Sequence, residues 1–336
     1  MSGRRASVNG VSELEAAVGG RPAVMMLKSI GFLDEHCERF LAASPFAVVG
    51  TLTGEGALRA VAMSGDAGLL SPRSATVLEL GGLSAADLVD GAPAGLLALV
   101  PGYGETLRVN GRLQLEDEVV TLVVEEALLH CAKAVIRSEL WTDPGRAEHG
   151  VPTLDAFLDE TPFLALVSID ADGNLDVSPR GDPPGLVRRI GDTTVAIADR
   201  PGNRRTDTLH NLVSDPRVAL LALQPGSEHV VEVRGTAQVC TDDALLASMR
   251  LRNRTPKAAI VVEVDHRDLR AEPAIARALW DPARRTHAGD LPKAATVWAD
   301  HVRRNTDPST GAKLARRLVS ATAMAAGVAV DYRTNL

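Results

Sequence analysis

LLALVPG at residues 96–102 returns as LLALQPG at residues 220–226, and the segments behind them, ETLRVNG ending on Gly111 and HVVEVRG ending on Gly235, keep the same spacing. Working outward, Ser44-Pro45-Phe46 followed by AVVGTLTGEG is echoed by Thr161-Pro162-Phe163 followed by LALVSIDADG. Downstream, TLVVEE at residues 121–126 is matched by AIVVEV at residues 259–264, and Leu140-Trp141 by Leu279-Trp280, each ahead of an Asp-Pro. One such match between β-rich segments is as often chance as not, but four blocks in one order are a duplication. A period of roughly 120 to 140 residues is that of whole domains, since solenoid repeats run about 20 to 50. The expected division is 1–150 and 151–336.

Within each copy, apolar runs such as FLALVSI, RVALLAL and VVEVRG sit between Gly, Pro and Asp turns, the pattern of antiparallel sheet. Helices are few. DEHCERFLAAS has Asp34 at the N-cap position, and RTDTLHNLVSD places Leu209, Leu212 and Val213 on one face. This predicts a mainly β (α+β) protein of two small tandem barrels with flanking helices, paired as an intramolecular pseudo-dimer. Small barrels have little internal room, so a ligand site belongs between them. The Ala-rich segment after residue 290 reads as a helical tail that wraps across the partner copy.

A net charge of -7 and a pI near 5.7 leave no face-wide basic excess for nucleic acid or an anionic membrane. Three scattered cysteines fit neither a disulfide framework nor a metal knuckle, so no metal is expected. No apolar run reaches the roughly 20 residues of a spanning helix, and a cytoplasmic protein is expected. Basic residues that matter must then be local.

Two motifs in the second copy have that character. DVSPRGDPPG, residues 176–185, breaks a strand into a Gly- and Pro-rich turn around Arg180; ADRPGNRRTDTLHNL then offers a turn, paired Arg204 and Arg205, and a helix start, a design suited to phosphate. Asp182 and Asp207 are candidate partners for these arginines. The first copy has lost both motifs. It carries instead Arg108 and Asn110 on a strand, and EEALLHCAKAVIRSELW, where His130, Lys133 and Arg137 recur at spacings that share a helix face. A solvated basic face would explain that segment alone. The complementary losses favour one composite site, with His130 and Lys133 as candidate catalytic groups. A Cys131–His130 nucleophile pair is disfavoured because sequence neighbours rarely face each other and no orienting acid is evident.

SPRGDPPG, RPGNRRTDTLHNL, PGYGETLRVNG, LHCAKAVIRSELW and the terminal DYRTNL together resemble the pyridoxamine 5′-phosphate oxidase-like FMN-binding split β-barrel family, over about residues 11–336. The resemblance implies that Ser178, Arg180 and Gly181 run along the isoalloxazine. It implies too that Asn203, Arg204 and Arg205 hold the FMN phosphate, with Arg108, His130, Lys133, Arg137 and Trp141 on the opposite wall. The chain departs from that family in being doubled with unequal copies, which puts a second flavin in doubt. The function implied is an FMN-dependent oxidoreductase acting on a small molecule. The alternatives are the same fold binding F420 or haem, with His130 as axial ligand, and a flavin carrier, sensor or structural pseudo-dimer. Further self-association of pseudo-dimers is left open.

Overall fold

The computed structural model describes residues 6–66, 68–142, 151–202, 204–287 and 289–336. The first copy contributes β1 (Phe46–Leu52), β2 (Leu58–Ser64), β3 (Leu70–Ser74), β4 (Val77–Leu80), β5 (Pro93–Leu99), β6 (Leu107–Glu116) and β7 (Val119–Leu129). The second contributes β8 (Phe163–Ile169), β9 (Leu175–Gly181), β10 (Val187–Arg189), β11 (Thr194–Ala198), β12 (Arg217–Leu223), β13 (His229–Cys240) and β14 (Ala259–Ala271). Helices are α1 (Val11–Val18), α2 (Ala23–Met26), α3 (Glu35–Ala43), α4 (Lys133–Arg137), α5 (Leu154–Glu160) and α6 (Asp207–Ser214), then α7 (Asp243–Ser248), α8 (Pro273–Trp280), α9 (Ala294–Arg304), α10 (Thr310–Leu318) and α11 (Ala321–Asn335).

The strands form two seven-stranded antiparallel sheets with one topology: β2-β1-β5-β6-β7-β4-β3, and β9-β8-β12-β13-β14-β11-β10. Even the irregularity repeats. β6 shifts register against β7 between Asn110 and Gly111, and β13 against β14 between Arg234 and Gly235. A Cβ on either glycine would lie 1.9 Å from a carbonyl oxygen of the neighbouring strand, so the bulge demands glycine at both places. The duplication read from the sequence is therefore a duplicated pair of split barrels.

Each barrel encloses its own apolar core, and a third core lies between them, where Phe46, Val48, Leu97 and Leu99 pack with Phe163, Val167, Val177 and Leu221. These side chains come from faces of strands buried on both sides, hence the continuous apolar runs in the sequence. The segments at the two ends cross over. Val8 and Leu14 join the second barrel's core, while Leu291, Val297 and Trp298 join the first's, so the tail does reach across to the other copy. Asp34 caps α3 as expected, accepting from the backbone N–H groups of His36 and Cys37. Among the described residues no helix is long and apolar enough to cross a membrane.

Candidate functional site

A cavity of about 590 Å³ lies between the two copies. Arg108, His130, Lys133 and Arg137 of the first copy and Ser178, Arg180, Gly181, Arg204 and Arg205 of the second all line it. Two expectations about this wall change. Trp141 is absent from the lining: its indole N–H donates to the Tyr103 carbonyl at 2.6 Å and its ring packs in the core between the copies. His130 is not on the helix either, because its N–H continues the β6–β7 ladder to the Thr106 carbonyl and α4 begins only at Lys133. Asn203 lies outside the described residues.

Strand alternation builds the inner end. Asp176, Ser178 and Arg180 recur every second residue on β9 and so share a face. Across the interface, β6 presents Arg108, which is fully buried and binds Asp176, Glu126 (3.0 Å) and Asp207 (2.9 Å). Arg205 closes the network on Glu126 (2.6 Å) and Asp207 (2.7 Å), with Ser29 at 3.1 Å. Burial opposes ionising Asp207 and Glu126, but Arg108 and then Arg205 outweigh it, and both carboxyls fall below their usual range. At Asp176 burial wins and the carboxyl is raised. Beside this network, burial and then the charges of Arg108 and Arg205 hold His130 well below its usual value, so it is a neutral imidazole. Burial likewise pushes the Cys131 thiol up, the reverse of what a nucleophile needs.

Arg137 joins the two second-copy motifs from the first copy. Its Nε donates to the Gly181 carbonyl and its Nη1 to that of Pro201, both at 3.0 Å, with Asp182 at 3.6 Å. Arg200 takes the other Asp182 oxygen at 2.6 Å, so Asp207 partners Arg205 as expected, whereas Asp182 is held by Arg137 and Arg200 rather than by Arg180, Arg204 or Arg205. The approach is close enough that a Cβ on Gly181 would stand 2.0 Å from the Ala134 carbonyl oxygen. In the next turn Arg204 and Thr206 are both left-handed (φ 62° and 56°), a conformation uncommon for side-chain-bearing residues and often held where function needs it. The turn buries Arg205 and leaves Arg204 exposed at the cavity. Among the described residues Arg204 has no polar partner, and the buried Nε of Arg180 has none.

Sequence reasoning missed three parts of the lining. Asp199, just past β11, is raised by burial despite Arg180 nearby. The loop from Leu251 to Lys257 adds Arg252, Arg254 and Lys257, and its clustered basic residues were a readable signal. Helix α11 brings Asp331 to 2.6 Å from Lys133, while the Tyr332 hydroxyl accepts from the Ala132 N–H. Among the described residues ten Lys and Arg side chains line the cavity against three Asp, a local basic excess on an acidic chain.

Strand register fixes the equivalent positions at the other interface. Phe46 pairs with Ser64 where Phe163 pairs with Gly181, and Ala47 with Met63 where Leu164 pairs with Arg180. Leu221 faces Glu232 where Leu97 faces Arg108. Continuing β14, Arg270 takes the place of His130. The buried Glu232 accepts from the Ala60 N–H and lies near Arg270 (3.4 Å) and Arg59 (4.0 Å), and Arg59 occupies the position equivalent to Asp176.

Residues 151–281 match the pyridoxamine 5′-phosphate oxidase family. No curated protein matches the chain. Among solved structures it is similar to the HupZ protein of Group A Streptococcus (16% identity over 36% of this chain and 99% of that one, TM-score 0.30). It is also similar to a putative pyridoxamine 5′-phosphate oxidase from Lactobacillus delbrueckii (22%, 32% and 84%, 0.26) and to an F420 reductase (16%, 36% and 98%, 0.27).

Proposed function

We propose, for a chain whose second half is a domain of the pyridoxamine 5′-phosphate oxidase family, that it is an FMN-dependent oxidoreductase with one composite flavin site per chain. The observation that carries this is the meeting of the retained motifs of the two copies in one cavity, while the mirrored position has Met63, Glu232 and Arg270 in place of Arg180, Arg108 and His130. The residues suit a phosphate-bearing flavin. The volume lies within the range of about 300 to 1,000 Å³ common for such ligands, and Arg180 and Arg204 present guanidinium donors without protein partners among the described residues.

In this reading Arg180 and Arg204 hold the phosphate. Arg205, whose donors are engaged by Glu126, Asp207 and Ser29, shapes the turn and supplies charge from behind. Ser178 and Gly181 flank the ring, and Arg137 clamps both motifs. Neutral His130 offers a lone pair or a hydrogen bond toward a reactant, and Lys133, paired to Asp331, closes that end. The bound flavin supplies hydride or electron transfer, and the protein sets its orientation and surroundings.

Titration of the flavin-free protein should give one FMN per chain. Arg180→Ala with Arg204→Ala should weaken binding by about 1.5 to 3 kcal/mol per lost charge-assisted bond, with riboflavin, which lacks the phosphate, little affected. Two FMN per chain, or equal losses for riboflavin, refute the reading. The neutral, cavity-lining His130 favours haem as the second reading; a Soret band lost in His130→Ala, with no FMN bound, would establish it instead.

A further inference from the structure

We infer that Asp34, Cys37 and His301 form a zinc-type metal site that fastens α9 to the first barrel. Three donors of different chemistry, a carboxylate oxygen, a thiol sulfur and an imidazole nitrogen, lie within 4.8 Å of one another, and all three residues are buried (4%, 1% and 0% exposed). None lines the cavity between the copies. Asp34 and Cys37 lie together at the start of α3, but His301 is 264 residues beyond Cys37, which is why no full ligand spacing shows in the sequence.

Local structure aims each donor. Asp34 spends Oδ1 on the N–H groups of His36 and Cys37 at the start of α3, which leaves Oδ2 for side-chain partners and sets Cys37 one turn along. On α9, the His301 Nδ1 is 3.0 Å from the Lys28 carbonyl, which can only accept, so Nδ1 carries the proton. In the neutral ring Nε2 then holds a lone pair, and it points at Asp34 Oδ2 (3.4 Å) and Cys37 Sγ (3.9 Å). A ring nitrogen tied to a backbone carbonyl with the other turned on a thiol and a carboxylate is the arrangement of a metal-ligating histidine. Zinc bonds of about 2.0 Å to nitrogen and oxygen and 2.3 Å to sulfur put neighbouring tetrahedral donors roughly 3.3 to 3.5 Å apart. The two separations from His301 Nε2, 3.4 and 3.9 Å, need a contraction of only a few tenths of an ångström, and the carboxylate and thiol, within 4.8 Å of each other, close further around the ion. Thiolate with imidazole selects zinc over magnesium or calcium, and water completes the tetrahedron.

Arg304 also reaches Asp34 Oδ2 (2.8 Å), but both its Nη atoms are held by Glu35 (2.6 and 2.5 Å). A coordinated carboxylate oxygen keeps a lone pair for such an outer donor. The competing arrangement is an imidazolium that donates to both Lys28 and Asp34, with no metal. The site bears on the cavity through α9, because Trp298 donates its indole N–H to the Leu129 carbonyl, one residue before His130.

The test is metal content and cobalt spectroscopy on the full chain, purified without chelator. One zinc per chain is expected. Exchange for cobalt should give thiolate charge transfer in the near-ultraviolet and tetrahedral d–d absorption at wavelengths beyond the flavin bands. Both signals should disappear in Cys37→Ser and in His301→Gln and persist in Cys131→Ser, with circular dichroism reporting the fold of each variant. A wild-type protein from zinc-supplemented medium that carries no zinc and gives no cobalt bands overturns the assignment in favour of the imidazolium pair. Bands that survive Cys37→Ser, or vanish with Cys131→Ser, overturn it too.

Discussion

Replacing Arg108 with Met tests whether the charge network behind the cavity holds the two copies together. Its side chain is 2% exposed and binds Asp176, Glu126 and Asp207. Arg205 shares Glu126 and Asp207, but among the described residues Asp176 has no other cation and would keep only the hydroxyls of Ser178 (2.6 Å) and Thr208 (3.3 Å). Breaking a buried pair from one side strands a charge at a cost of about 3 to 5 kcal/mol. Urea unfolding followed by tryptophan fluorescence should show that loss at neutral pH as a lower midpoint with an unchanged slope.

Removing both partners relieves the stranded charge. Arg108→Met with Asp176→Asn should be more stable than the sum of the single changes by about 0.5 to 3 kcal/mol, the range for coupled contacts. The pH dependence has a definite sign. Asp176 is already raised by burial and rises further without Arg108, so in the variant the folded state binds the extra proton and loses stability as pH increases. The gap to wild type should therefore shrink on acidification. A single-variant cost under about 1 kcal/mol, or additivity in the cycle, would refute the role of this network.

Two further outcomes follow from the same geometry. Gly181→Ala should cost about 1 to 3 kcal/mol and weaken flavin binding, since its Cβ meets the Ala134 carbonyl at 2.0 Å, while Ser64→Ala at the mirrored position should stay within about 0.5 kcal/mol; equal midpoints for the two would sink the argument. Because His130 is depressed below 6.5 by burial and by Arg108 and Arg205, the unfolded chain takes up its proton first on acidification. Wild type should then lose about 1.4 kcal/mol per pH unit below 6.5 until the folded pKa is reached, a component absent from His130→Asn. Identical pH slopes for the two proteins would show that His130 is not held neutral.

The duplicated fold was legible because each repeated block is a strand buried on both faces, and such strands write themselves as apolar runs with fixed turns. The cavity wall was legible where polar residues interrupt those runs, as with Arg108 or the SPRGD turn. Glu126 behind it and Asp199 on it were not, since an acidic residue within or just past a strand looks the same whether it faces solvent or a neighbouring barrel. His130 shows the limit of spacing: a three-and-four pattern suggested a helix face, but the ladder with Thr106 carries the strand past Leu129 and the helix starts later. Trp141 shows the limit of motif transfer, because the same aromatic serves equally well as an anchor between copies.

The mirrored interface explains how one site can be lost without loosening the pair. In a symmetric dimer each contact occurs twice, so an Arg108–Asp176 pair at one interface would require its copy at the other. Once the copies are fused, each position varies independently, and the second interface carries Glu232 opposite Arg59, the same pairing with its charges exchanged. Changing only one partner would have buried like charges against each other, whereas the exchanged pair keeps an attraction. Packing needs opposite charges there but is indifferent to their order. In the proposed reading a phosphate ligand is not indifferent: with Glu232 buried where Arg108 would stand and Met63 in place of Arg180, the second interface would keep its structural role without an anion site.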